Sequence, residues 1–112
     1  MTSYGSQPSH VAPGEIFQIE VGVRNQGEKI ARDLEDRCLP GGPFVFATGS
    51  PRKYNRLSLG SGDSWSVQFL IRAKPSATPG ECPLFAMVTA RNTPASERVF
   101  NIKVETPRRK KM

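Results

Sequence analysis

Most catalytic chemistries lack the residues they need in this sequence. Its 112 residues include one histidine, one tryptophan and two cysteines. A three-histidine metal centre is therefore impossible, and so is a four-cysteine zinc site. A Ser-His-Asp triad would have to use His10. No P-loop, G-x-G-x-x-G, G-x-S-x-G or H-E-x-x-H motif occurs. The ligand spacing of an EF-hand is missing too, so the acids Asp33, Glu35 and Asp36 read as a solvated face. There is no C-x-x-C, which argues against thioredoxin-like redox chemistry. No apolar run approaches the roughly 18 residues a membrane span needs, and no N-x-[ST] sequon is present. Residues 1–10 lack the basic and apolar regions of a signal peptide and read as a flexible polar lead-in. None of this fixes a compartment. A piece of a secreted protein would sit at the cell surface or outside the cell, and otherwise the chain would be cytoplasmic or virion-associated. No catalytic residue, metal ligand or cofactor is expected.

Glycine and proline are plentiful, at 10 residues each. That load suits short strands joined by turns. Residues 16–23 alternate, with Phe17, Ile19, Val21 and Val23 on one face and Gln18 and Glu20 on the other. Residues 64–73 repeat the pattern with Trp65, Val67, Phe69 and Ile71, and residues 99–104 do so with Phe100, Ile102 and Val104. Trp65 heads its alternating face and is expected in the core. Phe44 and Phe46 read as core plugs. Residues 84–90 are almost continuously apolar, which predicts a central strand covered on both sides. Glycines 14, 62 and 80, each followed by an acid, mark reversals at strand entrances. The segment 28–39 is ambiguous. Ile30, Leu34 and Cys38 share one face of a helix and also one face of a strand. Local propensity favours helix, while the short turns on either side favour strand, and the strand reading is preferred. The intervals between breaks are those of a β-sandwich. At this length a chain buries about two-thirds of its unfolded surface, enough for one domain.

Sixteen bases against ten acids give a net charge of +6. Without Arg108, Arg109, Lys110 and Lys111 the balance is 12 against 10, so most of the excess is a tail. A second basic cluster, Arg52, Lys53 and Arg56 around Tyr54, falls on a loop or edge strand. Both clusters read first as solvated charge. Together they are the candidate polyanion-binding residues, with Tyr54 able to stack on a base or sugar ring. Cys38 and Cys82 read either as two small buried hydrophobes or as one disulfide. A bond closing so long a loop would contribute about 4 kcal/mol.

Four blocks in order carry a family pattern: Ala12-Pro13-Gly14-Glu15 running to Val23-Arg24-Asn25-Gln26-Gly27, Ala31 to Leu34 running to Leu39-Pro40-Gly41-Gly42, Leu57 to Ser64, and Ala77 to Pro83. The chain thereby resembles the immunoglobulin-like repeats of bacterial and archaeal surface proteins. These comprise the CARDB-like cell-adhesion-related domains, the S-layer-associated repeats and the accessory sandwich domains of some glycosidases. The likeness spans about residues 11–105. It implies an all-β immunoglobulin-like sandwich of about seven antiparallel strands over residues 11–106, followed by a basic flexible tail at 107–112. It also implies a non-catalytic structural or interaction module, adhesion-related, acting through its sandwich edge and loops. Its partner would be another protein or a second copy, with nucleic acid and carbohydrate as alternatives. Family members often carry an aromatic residue where Cys82 stands. If its strand pairs antiparallel with that of Cys38, the two cysteines come near each other, which strengthens the disulfide reading.

Overall fold

The computed structural model describes residues 1–105. The described chain is all-β, in nine strands: β1 (Thr2–Ser6), β2 (His10–Val11), β3 (Ile16–Arg24), β4 (Ala31–Leu39), β5 (Phe44–Phe46), β6 (Lys53–Leu59), β7 (Ser64–Ala73), β8 (Gly80–Ala90) and β9 (Thr93–Val104). One sheet has the order β1-β3-β7-β5 and the other β2-β9-β8-β4-β6. They pack face to face as the expected immunoglobulin-like sandwich. All pairings are antiparallel except β2 with β9, which is parallel.

The alternating segments behave as their patterns require. Ile19, Val21 and Val23 of β3, Phe69 and Ile71 of β7, and Phe100, Ile102 and Val104 of β9 are buried between the sheets. Each large side chain buried this fully contributes about 2 kcal/mol. Phe44 is also buried, and Phe46 and Trp65 pack against the core from partly buried positions. Gly14 and Gly62 turn with φ of 83° and 79°, the left-handed conformation expected of them.

Several expectations need correction. The lead-in is a strand: Thr2–Ser6 pairs with β3, Tyr4 lying opposite Gly22. The Tyr4 ring covers Gly22 so closely that no Cβ would fit there, and Gly5 has equally little room between the Glu20 carbonyl and the Phe100 ring. β1 therefore binds by close backbone approach rather than by apolar burial. With it and the two-residue β2, the described chain has nine strands rather than about seven. The segment 28–39 is a strand, but out of simple phase. Asp33 has φ of 53°, and Arg32 and Asp33 are both exposed between buried Ala31 and Leu34. The left-handed residue breaks the alternation there, while β4 keeps one register against β6 throughout. Ile30 consequently lies outside the strand, exposed, and does not share the face of Leu34 and Cys38. Asp36 faces inward and is fully buried, so it is not part of a solvated acid face. Finally, β8 is central within its sheet, yet only one face is covered. Among the described residues no third layer lies over the larger sheet, so Phe85 is exposed while its neighbours Leu84 and Ala86 are buried.

Candidate functional site

The two long sides of the sandwich differ, and the sequence-predicted basic residues fall on the more open one. On that side the smaller sheet ends in the three-residue β5 and the larger sheet in β6, which covers β4 only as far as Arg37. The gap between them is a cleft of about 460 Å³, lined by Cys38, Leu39, Pro40, Phe44, Val45, Phe46 and Arg52. Phe44 meets Phe17 edge-on, with ring centroids 5.6 Å apart. The Arg52 guanidinium lies 5.1 Å over the Phe46 ring at the mouth, a cation–π contact.

Arg52, Lys53 and Arg56 are exposed on this side and close together in the chain. Lys53 stands opposite Arg37, and the Arg56 Nε donates to the Ser58 carbonyl at 2.8 Å. Tyr54 does not join them. Its ring turns inward against Phe69, centroids 5.3 Å apart, and its hydroxyl donates to the Gln68 carbonyl of the other sheet at 2.7 Å. That bond ties the two sheet edges together and removes Tyr54 as a stacking platform. Arg108, Arg109, Lys110 and Lys111, with the tail at 107–112, lie outside the described residues. β6 pairs with β4 on one side and with no described strand on the other, and Leu57 within it is 83% exposed.

Behind the cleft, Asp36 occupies the inner face of β4, two residues from Cys38 and opposite Tyr54 and Val88. Neither carboxylate oxygen has a hydrogen-bond partner among the described residues. Burial raises its pKa from 3.8 to about 7. Burial, then the nearby Asp36 charge, pushes the Cys38 thiol up to about 12. A thiol held that high stays protonated at neutral pH and does not act as a nucleophile. The candidate disulfide is not formed, and both cysteines are free. Their strands do pair antiparallel as expected, but the register puts Cys38 opposite Ala86. Cys82 is four residues farther along β8, a distance of roughly 13 Å at strand rise. Disulfide geometry allows Cα atoms only about 7 Å apart.

The lone histidine sits elsewhere, on β2. His10 Nδ1 is 3.1 Å from Ser9 Oγ and its Nε2 is 3.2 Å from Glu105. The order resembles a triad, but the His10 and Glu105 side chains are 59% and 46% exposed. Water there screens the charges that a catalytic site must hold preorganised. No group of three His, Cys, Asp or Glu among the described residues is placed to hold a metal ion. What sequence reasoning missed is the burial of Asp36, which the shared parity of Leu34 and Cys38 could have shown, and the exposure of Phe85, which depends on layering.

Two packed sheets, with the first strand split between them, define an immunoglobulin-like β-sandwich domain. More particularly, this chain has a CARDB-like fold. The CARDB domain of the PF1109 protein from Pyrococcus furiosus, solved in complex with di-metal ions, matches with a TM-score of 0.57 at 17% identity, covering 90% of this chain and 85% of that one. A solution structure of the same domain matches at 0.59 and 19%, covering 93% and 94%. A fragment of alpha-2-macroglobulin from Escherichia coli matches at 0.71 and 18%, covering 92% of this chain but only 16% of that one. AvmM, which catalyses macrocyclization in alchivemycin A biosynthesis, matches at 0.63 and 12%, covering 96% and 91%. At these identities the likeness is one of fold, and this fold hosts both binding domains and enzymes. No protein-family model and no curated protein matches the chain.

Proposed function

We propose that this chain is a non-catalytic structural or interaction module, adhesion-related in kind, that makes its contacts through the free edge of β6 and the loops at the ends of the sandwich. The observation that carries this reading is β6 itself. An edge strand of seven residues presents backbone groups on which an extended segment can add as a further strand. Leu57 and the flanking Lys53 and Arg56 supply side-chain contacts. The interior offers nothing comparable: Cys38 is a protonated buried thiol and the histidine lies on open surface. The arrangement of the ends also suits a spacer. Thr2 pairs beside Arg24 at one pole, while Val104 lies beside Val11 at the other.

A library of displayed peptides tests the reading. Extended peptides selected on the chain are expected to lose at least about tenfold in affinity with Leu57→Glu, which changes only an exposed side chain. Affinity unchanged by that substitution would overturn the edge reading.

A second reading, polyanion binding, is favoured by the shared exposure of Arg52, Lys53 and Arg56. With Tyr54 turned inward it rests on charge alone and carries no sequence readout. Retention on a polyanion column that vanishes by about 0.2 M salt would reduce it to nonspecific attraction. The carbohydrate alternative would need an aromatic platform other than Trp65, which packs against the core.

A further inference from the structure

We propose that the outer face of the larger sheet is the surface on which two copies of this chain pack together. Three adjacent strands place apolar side chains there in one row. Leu39 of β4 stands opposite Phe85 of β8, which stands opposite Val99 of β9. They are 43%, 47% and 47% exposed. The next outward-facing row along the strands reads Lys53, Arg37, Met87, Glu97 across β6, β4, β8 and β9. Its charge is divided: two cations lie on one side of β8 and the acid on the other.

That division selects both the partner and the symmetry. A two-fold axis in the contact plane, parallel to β8, lays each row over the same row of a second copy with its order reversed. Phe85 then meets Phe85 of the second copy, and Leu39 meets its Val99. Arg37 comes over its Glu97, with Lys53 one strand farther out, and the symmetry repeats that contact. An axis running across the strands would instead lay the charged row over the opposite flank, beside Pro83 and Asn101, where no such match exists. A surface complementary to itself is what a two-fold dimer requires. Sheets packed face to face lie about 10 Å apart, which leaves room for one layer of these side chains. Arg37 is already held on the face by an ion pair with Glu35, so its head group is placed before association. The inference rests on the reading of the chain as an interaction module, but it uses the sheet face rather than the β6 edge.

Sedimentation equilibrium of the full chain over a range of concentrations tests it. The wild type is expected to dimerise reversibly, and Phe85→Glu to remain monomeric. Arg37→Glu and Glu97→Arg should each weaken the dimer by about tenfold or more, because each places like charges together. The two combined should restore affinity to within about threefold of wild type. The charge-reversal pair reports on the interface even if Phe85→Glu fails to fold. A chain that stays monomeric at every concentration overturns the proposal. So does a double variant no better than the weaker single, or a dimer that survives Phe85→Glu. Dimerisation abolished by Leu57→Glu but not by Phe85→Glu would move association to the β6 edge, against this proposal and in favour of the edge reading. Loss of peptide binding to β6 with the dimer intact would do the reverse.

Discussion

On one long side of the sandwich the chain crosses from β1 in the smaller sheet to β2 in the larger, and the two sheet margins meet tightly. Gly5 lies against the Phe100 ring, and Ser3 Oγ donates to the Glu97 carbonyl of β9. On the other side β5 is three residues long, β6 stops short of Cys38, and a cleft of about 460 Å³ remains. Single side chains do there what a longer strand would otherwise do. Tyr54 donates to the Gln68 carbonyl, and Ser50 Oγ accepts from the Leu70 amide at 3.0 Å. The closed side uses glycine where close approach is needed, and it is built for stability. The open side keeps an unpaired edge, exposed cations and an unsatisfied buried acid, and none of these features stabilises the fold. On the proposed reading, that is the side on which contacts are made.

The largest expected effect concerns the interior of the open side. Asp36 has a folded-state pKa of about 7 against 3.8 unfolded. Below 3.8 the group is protonated in both states and has no effect on stability. As pH rises from there to about 7 the unfolded chain ionises first, so stability falls, by on the order of 4 kcal/mol over the whole window. Above that window the loss is complete and constant. Urea denaturation at pH 5 and pH 8 should show the wild type less stable at pH 8, and Asp36→Asn should flatten the difference. A wild type equally stable at both values would contradict the buried, unpaired carboxyl.

Asn25, the other buried polar residue among the described ones, is fully partnered. Its Nδ2 donates to the carbonyls of Lys29 and Leu59 at 2.8 and 2.9 Å, and its Oδ1 accepts from the Gly27 amide at 3.0 Å. Asn25→Ala should cost about 3 kcal/mol by leaving these groups unpaired, with no dependence on pH between 5 and 8. On the closed side, Gly5→Val should cost about 2 kcal/mol through overpacking against the Glu20 carbonyl and Phe100. Faster amide exchange in residues 2–6 would identify β1 as the element released. The smallest effect is expected at the open edge. Leu57→Glu should leave the unfolding midpoint within about 0.5 kcal/mol of wild type, and a large loss there would make β6 structural rather than functional.

Much of the architecture was legible because alternation is a strong signal in β3, β7 and β9, and because turn glycines sit where positive φ is needed. β1 was not, since Thr2-Ser3-Tyr4-Gly5-Ser6 buries little apolar surface. Its fit depends on Gly5 and Gly22 being matched to rings far away in sequence. The break at Asp33 hid only the start of β4, because Asp36 shares the parity of Leu34 and Cys38 and points inward with them; the cluster of three acids masked that placement. The strands carrying Cys38 and Cys82 were expected to be neighbours, and they are, but register, which sets the separation, is not written locally. Arg52, Lys53 and Arg56 do share the open side. Tyr54 left them because an edge-strand tyrosine can face either way, and the second sheet offered it Phe69 and the Gln68 carbonyl. Phe85 read as buried because an apolar run gives no information about how many layers cover it.

The central claim is that this domain works by contact at its open edge. It is tested most directly by hydrogen–deuterium exchange of the full chain, alone and saturated with a peptide selected to bind it. Slowed exchange across residues 53–59, with β1 and β2 unchanged, is the predicted result. Protection centred on β1 and β2, or on the pole loops without β6, would contradict it.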